Sequence, residues 1–176
     1  MQRFIIRITQ ENLNLANYPE IGCFILPDTV SENFGKEFVE SAHKENRLVL
    51  VQGQNATEFY KQSGADGLIV DTAQETNPAK AIKAVKKTVP KAILGAICRN
   101  RRHEAMVVSE CEPDFVIFKF WKDGFEHNRE LLNWYAELFL LQNAAQIEED
   151  CEFESLNADF IILDDMKFMT YKQHKG

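Results

Sequence analysis

Basic side chains gather in two short stretches of this acidic chain. Cys98-Arg99-Asn100-Arg101-Arg102-His103 and Lys119-Phe120-Trp121-Lys122-Asp123-Gly124 each follow an apolar run. Guanidinium forks and ammonium groups on neighbouring strand ends suit a phosphate or carboxylate ligand. A helix starting near Arg101 would add the partial positive charge of its N-terminus. Amides follow two other runs, as Gln52-Gly53-Gln54-Asn55 and Gln142-Asn143. We take Gln52, Gln54, Asn55, Arg99, Arg102, Lys119 and Asn143 as the candidate ligand-binding residues. The alternative is a solvated rim paired with Asp71, Glu104 and Asp123. His103 reads as an exposed residue of a first helical turn, because no Ser or Cys nucleophile has matching spacing. Asp164-Asp165 could bind a cation, but one pair without a glycine-rich loop or a further carboxylate is a weak signal. No residue is assigned a catalytic or metal-binding role, and no cofactor is expected.

Such side chains meet only if strands end together, and the sequence supplies those strands. One phrase occurs three times: SGADGLIVDT at 63–72, CEPDFVIFKF at 111–120 and LNADFIILDD at 156–165. Its aspartates, Asp66, Asp114 and Asp159, are about 46 residues apart, the period of a repeated supersecondary unit. The apolar runs lack strict alternation, as expected of strands buried on both faces of a parallel sheet. The other runs are Phe4–Ile8, Ile21–Leu26, Leu48–Val51, Ile93–Ile97 and Phe139–Leu141. Helical stripes lie between most of them. Residues 31–45 place Phe34, Phe38, Val39 and Ala42 on one face, with Ser31 or Thr29 as cap. Asn77-Pro78 opens a helix over 78–88, and residues 101–110 and 128–138 repeat the pattern. The span Gln146–Ser155 reads as a weaker, acidic helix.

Strand and helix alternating with short links predict right-handed βα units. Eight of them favour a closed (βα)8 TIM barrel over an open doubly wound sheet: a compact α/β domain over residues 1–176, with short units. Helical cover is predicted to be thin at the first and last units. Residues 9–20 contain Asn12, Asn14, Asn17 and Pro19, and the last run is followed by MKFMTYKQHKG, enough for about one or two turns. Phe4–Ile8 fits either the first barrel strand or an edge. The three repeated aspartates precede their strands, at the stability face of a barrel, and are expected to cap turns or helix ends.

The chain has 176 residues and a net charge of −7, which argues against general affinity for nucleic acid or an anionic membrane. No apolar stretch approaches the ~20 residues of a bilayer span. MQRFIIRITQ has no signal-peptide pattern, so a cytoplasmic location is expected. Cys23, Cys98, Cys111 and Cys151 lack metal spacing and are expected to be reduced thiols.

GADGLIVD at 64–71 resembles the GADGVHLG strand of thiamine phosphate synthases. LGAICRNRRHEAMVVSECEPDFVIF resembles that family's fifth strand, next helix and sixth strand. LLNWYAELF followed by LNADFIILDD resembles its late WWAELF helix and final GADGVAV strand. The likeness covers roughly residues 45–165, in order along the chain. It implies a (βα)8 barrel that joins a hydroxymethylpyrimidine diphosphate to a thiazole phosphate, with Mg²⁺ holding the diphosphate. The related thiazole tautomerases share the barrel and not the reaction.

The family's functional positions are changed here. Its Asn-Asp pair after strand three aligns with Gln54-Asn55, and its second metal Asp falls near Gln74, with Asp71 and Glu75 as nearby carboxylates. Its strand-five serine aligns with Ile97 and the histidine after it with Arg99. The Gly-Gly-Ile loop has no counterpart in LLQNAAQ, and Gln-Leu-Arg-Glu-Lys is replaced by LPDTVSEN. Without a divalent cation the departure of diphosphate is not stabilised, and two amides do not replace two carboxylates around Mg²⁺. The resemblance therefore implies a synthase-like barrel that has lost the reaction and binds a phosphorylated or other anionic small molecule. Two alternatives stay open. One is an active, divergent synthase, a transferase of thiamine biosynthesis using Asp71, Asp164 and Asp165 for Mg²⁺. The other is an interaction scaffold without a ligand. An apolar flank left uncovered at the first and last units predicts a homodimer; sedimentation as a monomer at high micromolar concentration would overturn that expectation.

Overall fold

The repeated aspartates are clamps between neighbouring strands. In this computed structural model, which describes residues 2–176, Asp66 Oδ2 accepts from Val49 N at 2.8 Å, Asp114 Oδ2 from Leu94 N at 2.7 Å and Asp159 Oδ2 from Asn143 N at 2.9 Å. In the first two, the aspartate's own N–H returns to the carbonyl of the same residue, at 2.8 Å in each case. In the third, Asp159 N donates to Asn143 Oδ1 at 3.1 Å. The aspartates thus hold backbone amides at the start of the preceding strand, where caps of turns or helix ends were expected.

Eight strands result: β1 Arg3–Arg7, β2 Cys23–Pro27, β3 Leu48–Gln52, β4 Gly67–Asp71, β5 Ile93–Ile97, β6 Phe115–Phe120, β7 Gln142–Ile147 and β8 Phe160–Asp164. They form a closed barrel in sequence order. Pairing is parallel, with Ile6 opposite Phe24, Phe24 opposite Val49, Ala96 opposite Val116, and Lys119 opposite Gln146. The N-terminal run is therefore the first barrel strand. Six helices follow the strands: α1 Glu32–Lys44, α2 Ala56–Ser63, α3 Pro78–Thr88, α4 Arg102–Glu110, α5 Phe125–Leu138 and α6 Asp165–Lys175. Ser31 Oγ caps α1 through Phe34 N, and Asn77 Oδ1 caps α3 through Lys80 N. Both helices begin where the sequence predicts.

Contacts gather the chain into two groups, Phe4–Leu68 with Ile162–Gly176, and Ile69–Ile161 with the N-terminal residues through Arg3. In the first, Phe24 packs edge-on against Tyr18 and Phe38, and Phe168 of α6 stacks on Tyr18. In the second, Phe118 meets Tyr135 and Phe120 meets Phe125, both on α5. Phe118 and Phe120 therefore face the helices, and Lys119 between them turns inward. The ring of Phe115 lies so close to Gly95 that a Cβ there would come within 2.5 Å of it, so a side chain at position 95 would force the ring to shift.

Three elements differ from expectation. Strand seven lies at Gln142–Ile147; the run Phe139–Leu141 precedes it, with Leu140 fully exposed at 105%. Residues 146–155 form the end of that strand and a 3₁₀ turn, Phe153–Ser155, in place of an acidic helix. The helix after β8 has 11 residues, longer than one or two turns. Between β1 and β2 the regular structure is a single 3₁₀ turn, Leu15–Asn17, thin cover as expected. No helix among the described residues is long and apolar enough to cross a membrane.

Asp114→Ala would leave the N–H of Leu94, a residue 3% exposed, without its acceptor. The cost is about 1–3 kcal/mol, which at this chain length lowers Tm by about 3–10 °C. Thermal melts should show that loss, and the exposed substitution Asp123→Ala should leave Tm unchanged.

Candidate functional site

The C-terminal ends of β4 to β7 bring charged and amide side chains together. Lys119, one-quarter exposed, directs its ammonium between two carboxylates, 3.7 Å from Asp71 Oδ2 and 3.8 Å from Glu148 Oε1. Both distances exceed a hydrogen bond, so the ammonium bonds neither carboxylate tightly. Asp71 ends β4, and its Oδ1 accepts from Ala73 N at 3.1 Å at the head of a 3₁₀ turn, Thr72–Gln74. Glu148 follows β7. Its N–H donates to Phe120 O at 2.9 Å, and its Oε1 accepts from Gln146 Nε2 at 2.6 Å. Gln146 is the register partner of Lys119 and is 1% exposed. Its Oε1 is buried without a hydrogen-bond partner, and so is Asn100 Oδ1. The Nδ2 of Asn100 donates to Lys119 O at 2.9 Å, joining the β5 and β6 ends.

Each predicted site residue has a definite place. Arg99 follows β5 with its side chain 40% exposed and donates through Nη1 to Glu104 at 3.2 Å. Its neighbour Arg101 is exposed, and α4 begins there without a side-chain cap. Arg102 leaves this group: its guanidinium lies over the Trp134 ring of α5, 5.0 Å from the centroid. Asn143 is the second residue of β7, 3% exposed and bonded to Asp159. The sequence reading ended strand seven at Asn143, whereas the strand begins there, so this side chain serves a clamp and not the rim. His103 is exposed in the first turn of α4.

Gln52, Gln54 and Asn55 belong to the first contact group. Gln52 ends β3, half-buried, and the other two are exposed in the following loop. That loop is held by Asp28, whose Oδ2 accepts from Asn55 N at 2.6 Å. Gly53 has φ +140°, and a Cβ on it would overlap the Asp28 carboxylate, so glycine is required there. The start of α2 is thus already served by the chain's own carboxylate. In the same group Asp164 Oδ1 accepts from Arg7 Nε at 2.6 Å, and Asp165 Oδ1 from Thr9 Oγ1 at 2.5 Å. The pair read as a weak cation signal is engaged by the β1 end. Among the described residues, no group of three or more His, Cys, Asp or Glu is placed to hold a metal ion.

The residues that sequence reasoning missed are Gln146 and Glu148. One signal would have found them. Each clamp aspartate lies 17, 20 or 16 residues after the amide it holds. Counted back from Asp159, the 17-residue offset of Asp66 gives residue 142, the first of strand seven, whereas the 20-residue offset of Asp114 gives 139, so the shorter offset alone moves the strand off Phe139–Leu141.

No family model and no curated protein matches this sequence. Solved structures do. The thiamine phosphate pyrophosphorylase from Pyrococcus furiosus aligns with a TM-score of 0.70 at 15% identity, over 92% of this chain and 85% of that one. A 3-keto-L-gulonate-6-phosphate decarboxylase from Vibrio cholerae gives 0.64 at 11%, over 93% and 89%. A protein from Burkholderia cenocepacia described as a lyase/mutase gives 0.63 at 11%, over 98% and 80%. At these identities the likeness is one of fold, a (βα)8 barrel common to all three.

Burial, reinforced by Glu104, pushes the Cys98 thiol up from 9.0 to about 12. Burial and then Asp66 do the same to Cys23. The native state holds these protons more tightly than the unfolded chain does, so their stabilisation is full below about pH 9 and is lost as pH rises toward 12. Urea midpoints should fall over that window. At pH 8, Cys98 should be alkylated no faster than the chain unfolds, and rapid labelling of the native protein would contradict its burial.

Proposed function

We propose that this chain is a thiamine phosphate synthase-like barrel in which the magnesium-dependent reaction has been lost, and which binds a phosphorylated or carboxylated small molecule at the β5 and β6 ends. The observation that carries the reading is the Lys119 ammonium between Asp71 and Glu148. Asp71, the carboxylate ending β4, already has a fixed cation beside it. A magnesium ion sharing these carboxylates would stand beside the ammonium, and the repulsion between the two cations would oppose its binding, the more so because Lys119 is only one-quarter exposed. By the resemblance, the family's two metal carboxylates fall at Asn55 and near Gln74, amides of low affinity for Mg²⁺. The residues present do not fit the metal.

Anion recognition falls to the neighbouring strand end. Arg99 commits one of its three nitrogens to Glu104 and keeps further donors. Arg101 adds a second guanidinium, and the uncapped start of α4 supplies first-turn amides.

Phosphate or a thiazole phosphate at about 100 times its Kd should add about 2.7 kcal/mol of stability, a rise of about 5–10 °C in Tm, with no further effect of Mg²⁺. A rise that needs Mg²⁺ together with pyrophosphate would favour an active synthase instead. Formation of thiamine phosphate from the two substrates would overturn the reading.

A further inference from the structure

We propose that the Asp71, Lys119, Gln146 and Glu148 cluster binds an uncharged polyhydroxy segment of the ligand, so that the ligand is a polyol ending in a phosphate or carboxylate. This rests on the anion reading above and names the chemistry of the ligand's other end. The argument is a count of donors against acceptors. On the acceptor side stand Asp71 Oδ2 and two buried amide oxygens, Gln146 Oε1 and Asn100 Oδ1, the two amide oxygens without a donor among the described residues. Gln146 Nε2 and Ala73 N already serve Glu148 Oε1 and Asp71 Oδ1, and the donor that remains is one ammonium, too far from Asp71 Oδ2 for a short hydrogen bond. A buried acceptor without a partner is costly, and Gln146 is 1% exposed. Its Nε2 is fixed on Glu148, and its strand position faces Lys119. Its oxygen therefore belongs to this cluster.

A ligand that completes the site must bring several hydrogens and at least one acceptor for Lys119. Hydroxyl groups do both, each donating one proton and accepting another. Charge selects against the rivals. An anionic group here would meet two carboxylates against one ammonium, and a cationic group would compete with Lys119 for the same carboxylates. The neutral part of the ligand then lies at the β6 and β7 ends, with its charged terminus toward Arg99 on the adjacent β5 end.

Isothermal titration calorimetry of the full chain with matched probes tests this. Sorbitol phosphate is compared with hexyl phosphate, and gluconate with hexanoate, so that hydroxyls vary while chain length and charge are held. The expected result is at least tenfold tighter binding of the hydroxylated member in the phosphate pair, the carboxylate pair or both. Gln146→Leu and Lys119→Met should each bring the two affinities of a pair to within threefold. Equal affinities within both pairs would overturn the polyol inference and leave the anion reading standing. A preference that survives both substitutions would place the hydroxyls elsewhere and overturn it too. Binding by no probe would overturn both readings. The wild-type comparison decides even where a substituted chain fails to fold.

Discussion

The fold depends on one repeated contact, an aspartate carboxylate accepting a backbone N–H from the preceding strand. Parallel strands offer slanted, evenly spaced hydrogen bonds and no hairpin to fix their register. A side-chain acceptor at a defined offset supplies that missing constraint. Val49, Leu94 and Asn143 are each held this way at the start of their strands. The contacts join β3 to the β4 entrance, β5 to the β6 entrance and β7 to the β8 entrance. They recur at every second βα unit, which is why the phrase in the sequence has twice the period of a single unit. Before β2 the corresponding stretch is Ile21-Gly22, which carries no carboxylate. A single 3₁₀ turn covers this unit, and another covers the β7–β8 unit, which keeps its aspartate, so the clamp does not depend on a covering helix.

Fixing the N-terminal ends of the strands leaves their C-terminal ends to chemistry, the division of labour expected of this fold. The cost of the polar mouth is visible in side chains that a packed interior would exclude. Lys119 occupies an inward position on an otherwise aromatic and aliphatic strand, and Gln146 occupies the position beside it. Both are retained although Gln146 keeps an oxygen without a donor. Local rules broken at a strand end are where function is most economically sought.

The barrel was legible because its signals are local. Asn77-Pro78 marked the start of α3 to the residue, and Ser31 that of α1. The runs rich in Ile, Val and Phe located seven strands. Strand seven escaped because QNAAQI carries one β-branched residue and no aromatic, while the apolar residues just before it lie in a connection. That displacement hid the site. By sequence Asn143 falls at the rim, although it lies at the start of its strand, and Glu148 falls in an acidic helix, although it stands beside Lys119. Arg102 was assigned to the rim for its sequence position, but its direction is set by the Trp134 ring, a tertiary contact that no local pattern announces. The ion group itself joins residues 71, 119 and 148, a convergence that depends on register across several strands.

The bond from Arg7 to Asp164 spans 157 positions of the chain. A ribosome delivers β1 long before its acidic partner. Throughout synthesis the apolar residues Ile5, Ile6 and Ile8, all buried in the finished molecule, wait for the strand that completes their surroundings. Long-range closure of this kind is slow, and an unpaired apolar ribbon is a hazard for as long as it lasts. Strand β8 therefore governs more than a local seam. A nascent chain stalled before β8 keeps its oldest strand exposed, and premature termination there would yield an aggregating product in place of a slightly weakened one.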